Sequence, residues 1–596
     1  MAASKLLPRL VWIACVVMLF VCGALVLAIY AAPFDWLKPL ADGLARDGAL
    51  ESFTPTFYNE SRPFWLGLAL VLLMGGSLTL SLRGKIQAAL DKLLYWSPRR
   101  TLGEDLQELK ALLRVEKTAR AYILSLALIT AFGAAIRALH LSDPMQHDEA
   151  YTFIAFASRP LAAFIKDYSL PNNHIFHSLL VHFAFASLGD APWCIRLPAF
   201  LAGVLCIPAA YALGGQLYNR KVGLAGAALT AAAPALIDYS ANARGYTLIC
   251  LFTLLVAWLA GYLIRQPNRL AWGLLALCAS LGFYTIPIML YPFGTVVVWL
   301  FLSRLLGDVP TESRAAFWAS LGACLAATAL LTGLFYLPVV INSGVGALIH
   351  NEYIQPQDAA GLAEQILSRV ISTAEQWKAQ TPAFMALLSL AGFALSLVLH
   401  RRVSSYRAPL QLAGLVWIGL TLALQRVAPL ARVWLFLLPL YLIWASAGVY
   451  ALLKLLLPRR IHLHATLLLL VLAPLTPGLS LYASLVQMKA NPAEAGVEEA
   501  VAIYFKDNLR PGDLVVVQAP MAAPLEYYFR RYRLPLDAFD RQRSDIHRLL
   551  VLVSSKYEQT LESVLARKGL AEYLHLASNA RVAYSFKHAT VYELSP

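Results

Sequence analysis

Four short runs in this 596-residue chain gather side chains able to do chemistry. The first is Met145-Gln146-His147-Asp148-Glu149-Ala150-Tyr151-Thr152, where two adjacent carboxylates follow an apolar segment. A carboxylate so placed can serve as a general base towards a hydroxyl. The competing reading is a helix start, with Asp148 as N-cap and Glu149 in the first turn. The second run, Leu170-Pro171-Asn172-Asn173-His174-Ile175-Phe176-His177, offers amides and two imidazoles suited to hydrogen-bonding an oxygen-rich ligand. With His147, Asp148 and Glu149 these histidines form a set that a divalent metal would accept. Their spacing is not that of a zinc protease, and nothing in the sequence requires a metal. The third run is Asp238-Tyr239-Ser240-Ala241-Asn242-Ala243-Arg244-Gly245-Tyr246. Here Arg244 abuts an apolar stretch and either snorkels to the interface or meets a counter-charge, from an acidic residue or a phosphate. In the fourth, Arg426 and Arg432 flank one end of an apolar segment, on the side where charge statistics disfavour arginine. An anionic head group would be a reason for them.

The elements that carry these runs belong to a membrane protein. The chain is 59% hydrophobic and 14% charged, with mean hydropathy +0.61, far below the quarter or so of charged residues in a soluble domain. Apolar stretches recur through residue 486 and divide into about thirteen spans: 11–31, 63–82, 119–138, 193–217, 222–240, 246–264, 270–285, 286–303, 315–340, 382–400, 409–425, 432–457 and 465–486. The cut at 286 is the weakest. The first run is too long for a signal-peptide core and is read as a retained span. A net charge of +14 would suggest nucleic acid for a soluble protein, but here Lys and Arg sit in short loops between spans. They point to membrane topology and lipid phosphates, not to nucleic acid. The seven cysteines lie in or beside apolar spans without a CxxC pair, so they are read as packing residues.

Loop charge gives a direction. Arg and Lys recur in every second loop, which places the N-terminus in the cytoplasm. Loops 32–62, 139–192 and 341–381, and the C-terminal segment, then lie outside. All four polar runs fall on that outer side. Three parts follow: two spans and a cytoplasmic connector (1–118), a membrane module (119–486) and a soluble α/β domain (487–596). In the connector, Gly103 to Glu116 reads as an amphipathic helix. His174 to Leu188 is too short to span and reads as an interfacial helix in the outer loop. A helix around Glu364 to Glu375 is a candidate lid. In the tail, Asp513–Val517 and Leu549–Val553 read as strands, Ala523–Arg531 and Tyr557–Lys568 as helices, and Arg581–Leu594 as a hairpin.

Taken together, His147-Asp148-Glu149-Ala150-Tyr151-Thr152, Asn172-Asn173-His174, Ile195-Arg196-Leu197-Pro198 and Tyr239-Ser240-Ala241-Asn242-Ala243-Arg244-Gly245-Tyr246 resemble the bacterial polyprenyl-phosphate-dependent glycosyltransferases. These are multi-spanning enzymes of the GT-C type, relatives of the protein O-mannosyltransferases and of the lipid A aminoarabinose transferase. The resemblance covers residues 119 to 486. It implies a polytopic α-helical fold in the bacterial cytoplasmic (inner) membrane, while loop charge puts the C-terminal domain on the periplasmic or extracellular side. It also implies transfer of a sugar from a polyprenyl-phosphate donor to a lipid, glycan or protein acceptor, with inversion. The catalytic carboxylate carries over to Asp148, with Glu149 as its companion. Arg244, Arg426, Arg432, His174, Asn172, Asn173 and Tyr246 are the candidates for donor and phosphate binding. Asn242 stands where many relatives are acidic, so no second catalytic carboxylate is implied there. The competing class, a transporter or lipid flippase, predicts paired half-repeats and ionisable groups near mid-membrane. The polar runs cluster at one surface instead.

Overall fold

The computed structural model describes residues 6–42, 54–87, 102–112, 120–168, 170, 172–310, 314–344, 346–349, 357–456, 473–490, 496–542 and 546–595. Helices dominate the chain up to residue 490. Each of the first twelve apolar segments coincides with a helix or a bent helix pair, while the start of the thirteenth lies outside the described residues. Among the described residues, six helices are long and apolar enough to cross a membrane: Arg120–Leu139, Pro192–Leu217, Tyr246–Arg265, Pro287–Leu305, Ala316–Ser343 and Ala431–Leu456. Two bent pairs raise the number to eight. The difference from thirteen lies in apolar helices of 10–17 residues, such as Arg269–Thr285 and Leu410–Gln425. At 1.5 Å per residue these fall short of a hydrocarbon core of roughly 30 Å. Ile175–Leu188 is one of these short helices, as its length suggested. In the connector, the described helix is Leu102–Leu112, and residues 113–116 of the expected stretch lie outside the described residues.

Tyr246–Arg265 is the central helix, with 83% of its apolar window enclosed by the others. Helices pack closely where glycine removes the side chain. A Cβ on Gly448 would collide with the Gly392 carbonyl, so Ala383–Val398 and Leu437–Leu456 meet backbone to backbone.

The sharpest break near the polar runs is at Pro234, between Arg220–Ala232 and Pro234–Ser240, which bend by 60°. Proline has no N–H to give the Thr230 carbonyl, four residues earlier. Arg137, fully buried in the neighbouring Arg120–Leu139 helix, supplies what is missing. Its Nη2 donates to Thr230 O at 3.1 Å and its Nη1 to Ala231 O at 2.9 Å. Nε donates to the Ser240 hydroxyl at 3.0 Å. Gly203 has no Cβ to displace that hydroxyl. Arg137 thereby fixes the direction in which the chain enters the Asn242–Arg244 turn.

The C-terminal domain is a four-stranded sheet in the order β1-β2-β4-β3, with β1 Asp513–Val517, β2 Arg548–Ser554, β3 Arg581–Phe586 and β4 Ala589–Leu594. β1 and β2 are parallel, with Asp513 opposite Arg548, and β2–β4 and β3–β4 are antiparallel. The hydrophobic runs of β1 and β2 are buried on both faces, as a helix-covered parallel pair requires. Ala522–Arg531 makes the crossover between them. The second expected helix is shorter than the sequence suggested. It is Leu561–Arg567, because Thr560 caps it by accepting from Ser563 N–H. One face of the sheet, through Leu550, Leu552 and Val591, shares a hydrophobic core with Met145, Ala150 and Phe153. The C-terminal sheet thus sits on the segment that carries the first polar run.

Candidate active site

All four polar runs contribute to one place, at the end of the helical bundle covered by the C-terminal domain. The first run folds into the short helix His147–Thr152, with Gln146 as its N-cap. The helix therefore starts before Asp148, which is not its cap. Glu149, at the third helical position, accepts from the Gln146 N–H at 2.9 Å, closing the turn as a capping carboxylate does. A π-helical segment, Phe153–Ala157, follows, and such segments are frequent at functional sites.

The two adjacent carboxylates have opposite surroundings. Glu149 is fully buried and ion-paired with Arg196, itself 1% exposed. Arg196 Nε donates to Oε2 at 3.0 Å, and Nη2 bonds Oε1. Ala243 N–H donates to Oε2 at 2.8 Å. Arg196 also holds the carbonyls of Leu141, Asp143 and Pro144. All these donors close Glu149 off from any ligand and tie the first run to the third. Asp148, one residue earlier, is 40% exposed and accepts from Arg432 Nη1 at 3.1 Å. Of the pair, Asp148 is the carboxylate open to a substrate.

Arg244 is buried behind this helix. Its Nη1 donates to the Thr152 hydroxyl at 2.6 Å and to the Asn172 carbonyl at 3.0 Å. The same hydroxyl donates to the Asp148 carbonyl at 2.7 Å. Nη2 of Arg244 lies 3.2 Å from Nε2 of His174, while Gly245 N–H donates to Nδ1 of that ring at 2.9 Å. A neutral imidazole whose Nδ1 accepts carries its proton on Nε2. A guanidinium has donors only. Two N–H groups therefore face one another. Burial, reinforced by the Arg244 charge, holds the His174 ring well below the ordinary histidine range. Arg244 Nε and both ring nitrogens of His177 are also buried without a partner among the described residues. This corner is rich in donors and short of acceptors, the arrangement an anionic oxygen would complete.

The remaining candidates divide. Asn173 is buried and builds the loop: its amide donates to Phe164 O and Asp167 O and accepts from the Ser178 hydroxyl. Asn172 contributes its backbone carbonyl to Arg244. Tyr246 packs edge-on against His174 and Tyr239, with ring centres 5.3 Å apart in each case. Arg426 is exposed, in a left-handed conformation with φ 54°, and it is its carbonyl that bonds, to Gln357 N–H. No hydrogen bond or ion pair among the described residues joins the Arg426 side chain to Asp148, Arg244 or Arg432. The candidate lid is the helix Ala359–Lys378, whose Gln376 donates to the Tyr239 hydroxyl at 3.3 Å. No group of three or more His, Cys, Asp or Glu among the described residues is arranged to hold a metal. His147, His174 and Glu149 are each turned to other partners, His147 bonding Pro520 O.

Arg196, Thr152 and Tyr528 are the positions whose roles the sequence reading did not assign. Arg196 left a signal, since an arginine inside an apolar segment demands a partner. Thr152 and Tyr528 left none.

The chain's relatives agree with this architecture. Residues 173–335 match the family described as dolichyl-phosphate-mannose-protein mannosyltransferase. That stretch contains His174, Arg196 and Arg244 but neither Asp148 nor Arg432. No curated protein sequence matches the chain. Among solved structures, ArnT from Cupriavidus metallidurans bound to undecaprenyl phosphate superposes with a TM-score of 0.54 at 13% identity, covering 78% of this chain and 97% of that one. The apo state of the same protein gives 0.55 at the same identity and coverage. The chain thus resembles the GT-C glycosyltransferases in sequence over its middle and in fold over most of its length.

Proposed function

We propose that this membrane protein is a glycosyltransferase that moves a sugar from a polyprenyl-phosphate donor to a lipid, glycan or protein acceptor on the outer face of the bacterial cytoplasmic membrane. The observation that carries the proposal is the pairing of one open carboxylate, Asp148, with a buried donor-rich corner built from Arg244 and His174. Base and anion site are tied together through Thr152. The ArnT structure named above holds undecaprenyl phosphate, which supports a lipid monophosphate as the anionic partner.

In the mechanism the acceptor hydroxyl gives its proton to the Asp148 carboxylate as its oxygen attacks the anomeric carbon. The carbon–oxygen bond to phosphate breaks, and polyprenyl phosphate leaves with the bonding electrons. A single displacement inverts the anomeric centre. Arg244 and Arg432 stabilise the charge that grows on the departing phosphate. Arg432 also orients the base, through its bond to the Asp148 carboxylate. Glu149 acts within the fold, as the partner of Arg196. The Ala359–Lys378 helix covers the site.

A flippase or transporter is the other class. It needs ionisable groups along a path through the bundle, and the clustering of Asp148, Arg432, Arg244 and His174 at one end favours transfer. Mass spectrometry of envelope glycans and lipid-linked sugars in a strain lacking this gene tests the assignment. One glycan should lose one sugar while its polyprenyl-phosphate donor accumulates. An unchanged glycan profile would reject the assignment.

A further inference from the structure

The C-terminal domain meets the outer loops in two places of different character. Near the proposed base, Tyr528 is 1% exposed, and its hydroxyl accepts from the Met145 N–H at 3.2 Å. Met145 is itself 3% exposed, so this amide has no water to turn to. Two residues on, the His147 ring bonds the Pro520 carbonyl at 2.8 Å. A carbonyl only accepts, so His147 Nδ1 carries the proton and donates. Asp148 is the next residue. The far end of the interface rests on Asp190, whose carbonyl accepts from Tyr527 Oη at 2.6 Å and whose carboxylate pairs with Arg531 at 3.0 Å.

We infer that the C-terminal domain is a working part of the active site, with Tyr528 and the Pro520 carbonyl as positioning groups that hold the Asp148 helix at its N-terminal end. The inference rests on the reading of Asp148 as the base. Three fixed points surround that carboxylate. Thr152 and Arg244 hold the helix from below, Glu149 and Arg196 hold it from inside the bundle, and the domain holds its entry. Only the third is made by residues beyond 486. The polar contacts at this end are those of Tyr528 and Pro520, set in an apolar core that the domain shares with Met145, Ala150 and Phe153, and the Asp190 contacts lie at the far end of the interface. Tyr528 therefore acts through Met145, and Pro520 through His147, on where the base stands. A displacement of the order of 1 Å at a reacting group can cost about a hundredfold in rate.

Tyr528→Phe in the full-length protein in lipid nanodiscs isolates the hydroxyl and keeps the ring packed on Tyr527 and Tyr532. Arg531→Gln loosens the far anchor and serves as the comparison. Three readouts apply: deuterium exchange of the 145–148 amides, labelling of Asp148 by a water-soluble carbodiimide, and sugar transfer in a complemented deletion strain. Tyr528→Phe should speed exchange at Met145, change Asp148 labelling severalfold and reduce transfer by about ten- to a hundredfold. Arg531→Gln should leave all three at the wild-type level. Unchanged exchange and labelling in Tyr528→Phe would overturn the inference, as would equal changes in both variants, which would make the domain a general support. If Asp148→Asn retained transfer while Tyr528→Phe still altered exchange and labelling, the base assignment would fall and the positioning contact would stand.

Discussion

Glu149 and Arg196 form a fully enclosed ion pair, with side chains 0% and 1% exposed, that joins the helix of the proposed base to the Pro192–Leu217 helix. Removing one partner leaves the other charged and unpaired in the interior, at a cost of about 3–5 kcal/mol. Arg196→Leu also releases the carbonyls of Leu141, Asp143 and Pro144. We expect Glu149→Gln and Arg196→Leu each to lower the thermal midpoint of the purified protein by several degrees, read by intrinsic fluorescence. A midpoint equal to wild type in both would show that the pair does not hold the loop.

Asp148→Asn changes one atom of a half-open side chain and should leave folding and lipid binding intact. Transfer should fall by about 10²–10⁴-fold, the usual contribution of a general base. Binding of undecaprenyl phosphate, followed by native mass spectrometry, should persist. Transfer at the wild-type rate would remove Asp148 from the mechanism.

Arg244→Lys keeps the charge but loses the planar fork that reaches Thr152, Asn172 and His174 together. Its effect should fall on donor use, as weaker binding of undecaprenyl phosphate by about tenfold or more, in line with the loss of one charge-assisted bond. A native-mass-spectrometry titration yields that ratio directly. An unchanged affinity would exclude Arg244 from the phosphate site.

His174 supplies a pH dependence. Its ring is held below the ordinary range by burial and by Arg244, while the unfolded chain titrates near 6.5. Between those values the unfolded state binds a proton that the folded state refuses, so stability falls as pH drops below about 6.5. Melting curves between pH 7.5 and 5 should show this loss, and His174→Gln should lessen it, leaving the part contributed by the buried His177. Undecaprenyl phosphate should reduce the loss in wild type, because an anion beside the ring favours its charged form. A lipid-independent slope would argue against an anion site there.

The helices and the tail's strands were legible because they depend on local pattern. Apolar runs near twenty residues and the Leu-Val-Val-Val of β1 declare themselves within a few positions. Asp148 was also legible, as a carboxylate with no local apolar reason to be there. Its difference from Glu149 was not, since burial is decided by Arg196, 47 residues from Glu149, and by Ala243. The bond to Arg432 crosses 284 residues. Arg426 and Arg432 looked equivalent in sequence, yet the left-handed turn at Arg426 points the chain elsewhere. The docking of the tail was hidden for another reason. Tyr527, Tyr528 and Phe529 lie on the Ala522–Arg531 helix of the tail, and the core they enter is shared with the loop beneath it.

Beyond the Gly133 carbonyl of its own helix, Arg137 draws its partners from far down the chain, at Thr230, Ala231 and Ser240, 93 to 103 residues later. During synthesis the Arg120–Leu139 helix must therefore enter the bilayer before those partners exist. An arginine in a bare apolar helix opposes insertion by up to about 2.5–3.5 kcal/mol at its centre and less towards its end. The helix is held only provisionally until the Pro234 break emerges from the ribosome and wraps the guanidinium. Assembly of the proposed catalytic end is thus ordered in time, with the bent pair arriving to lock a helix already waiting in the membrane.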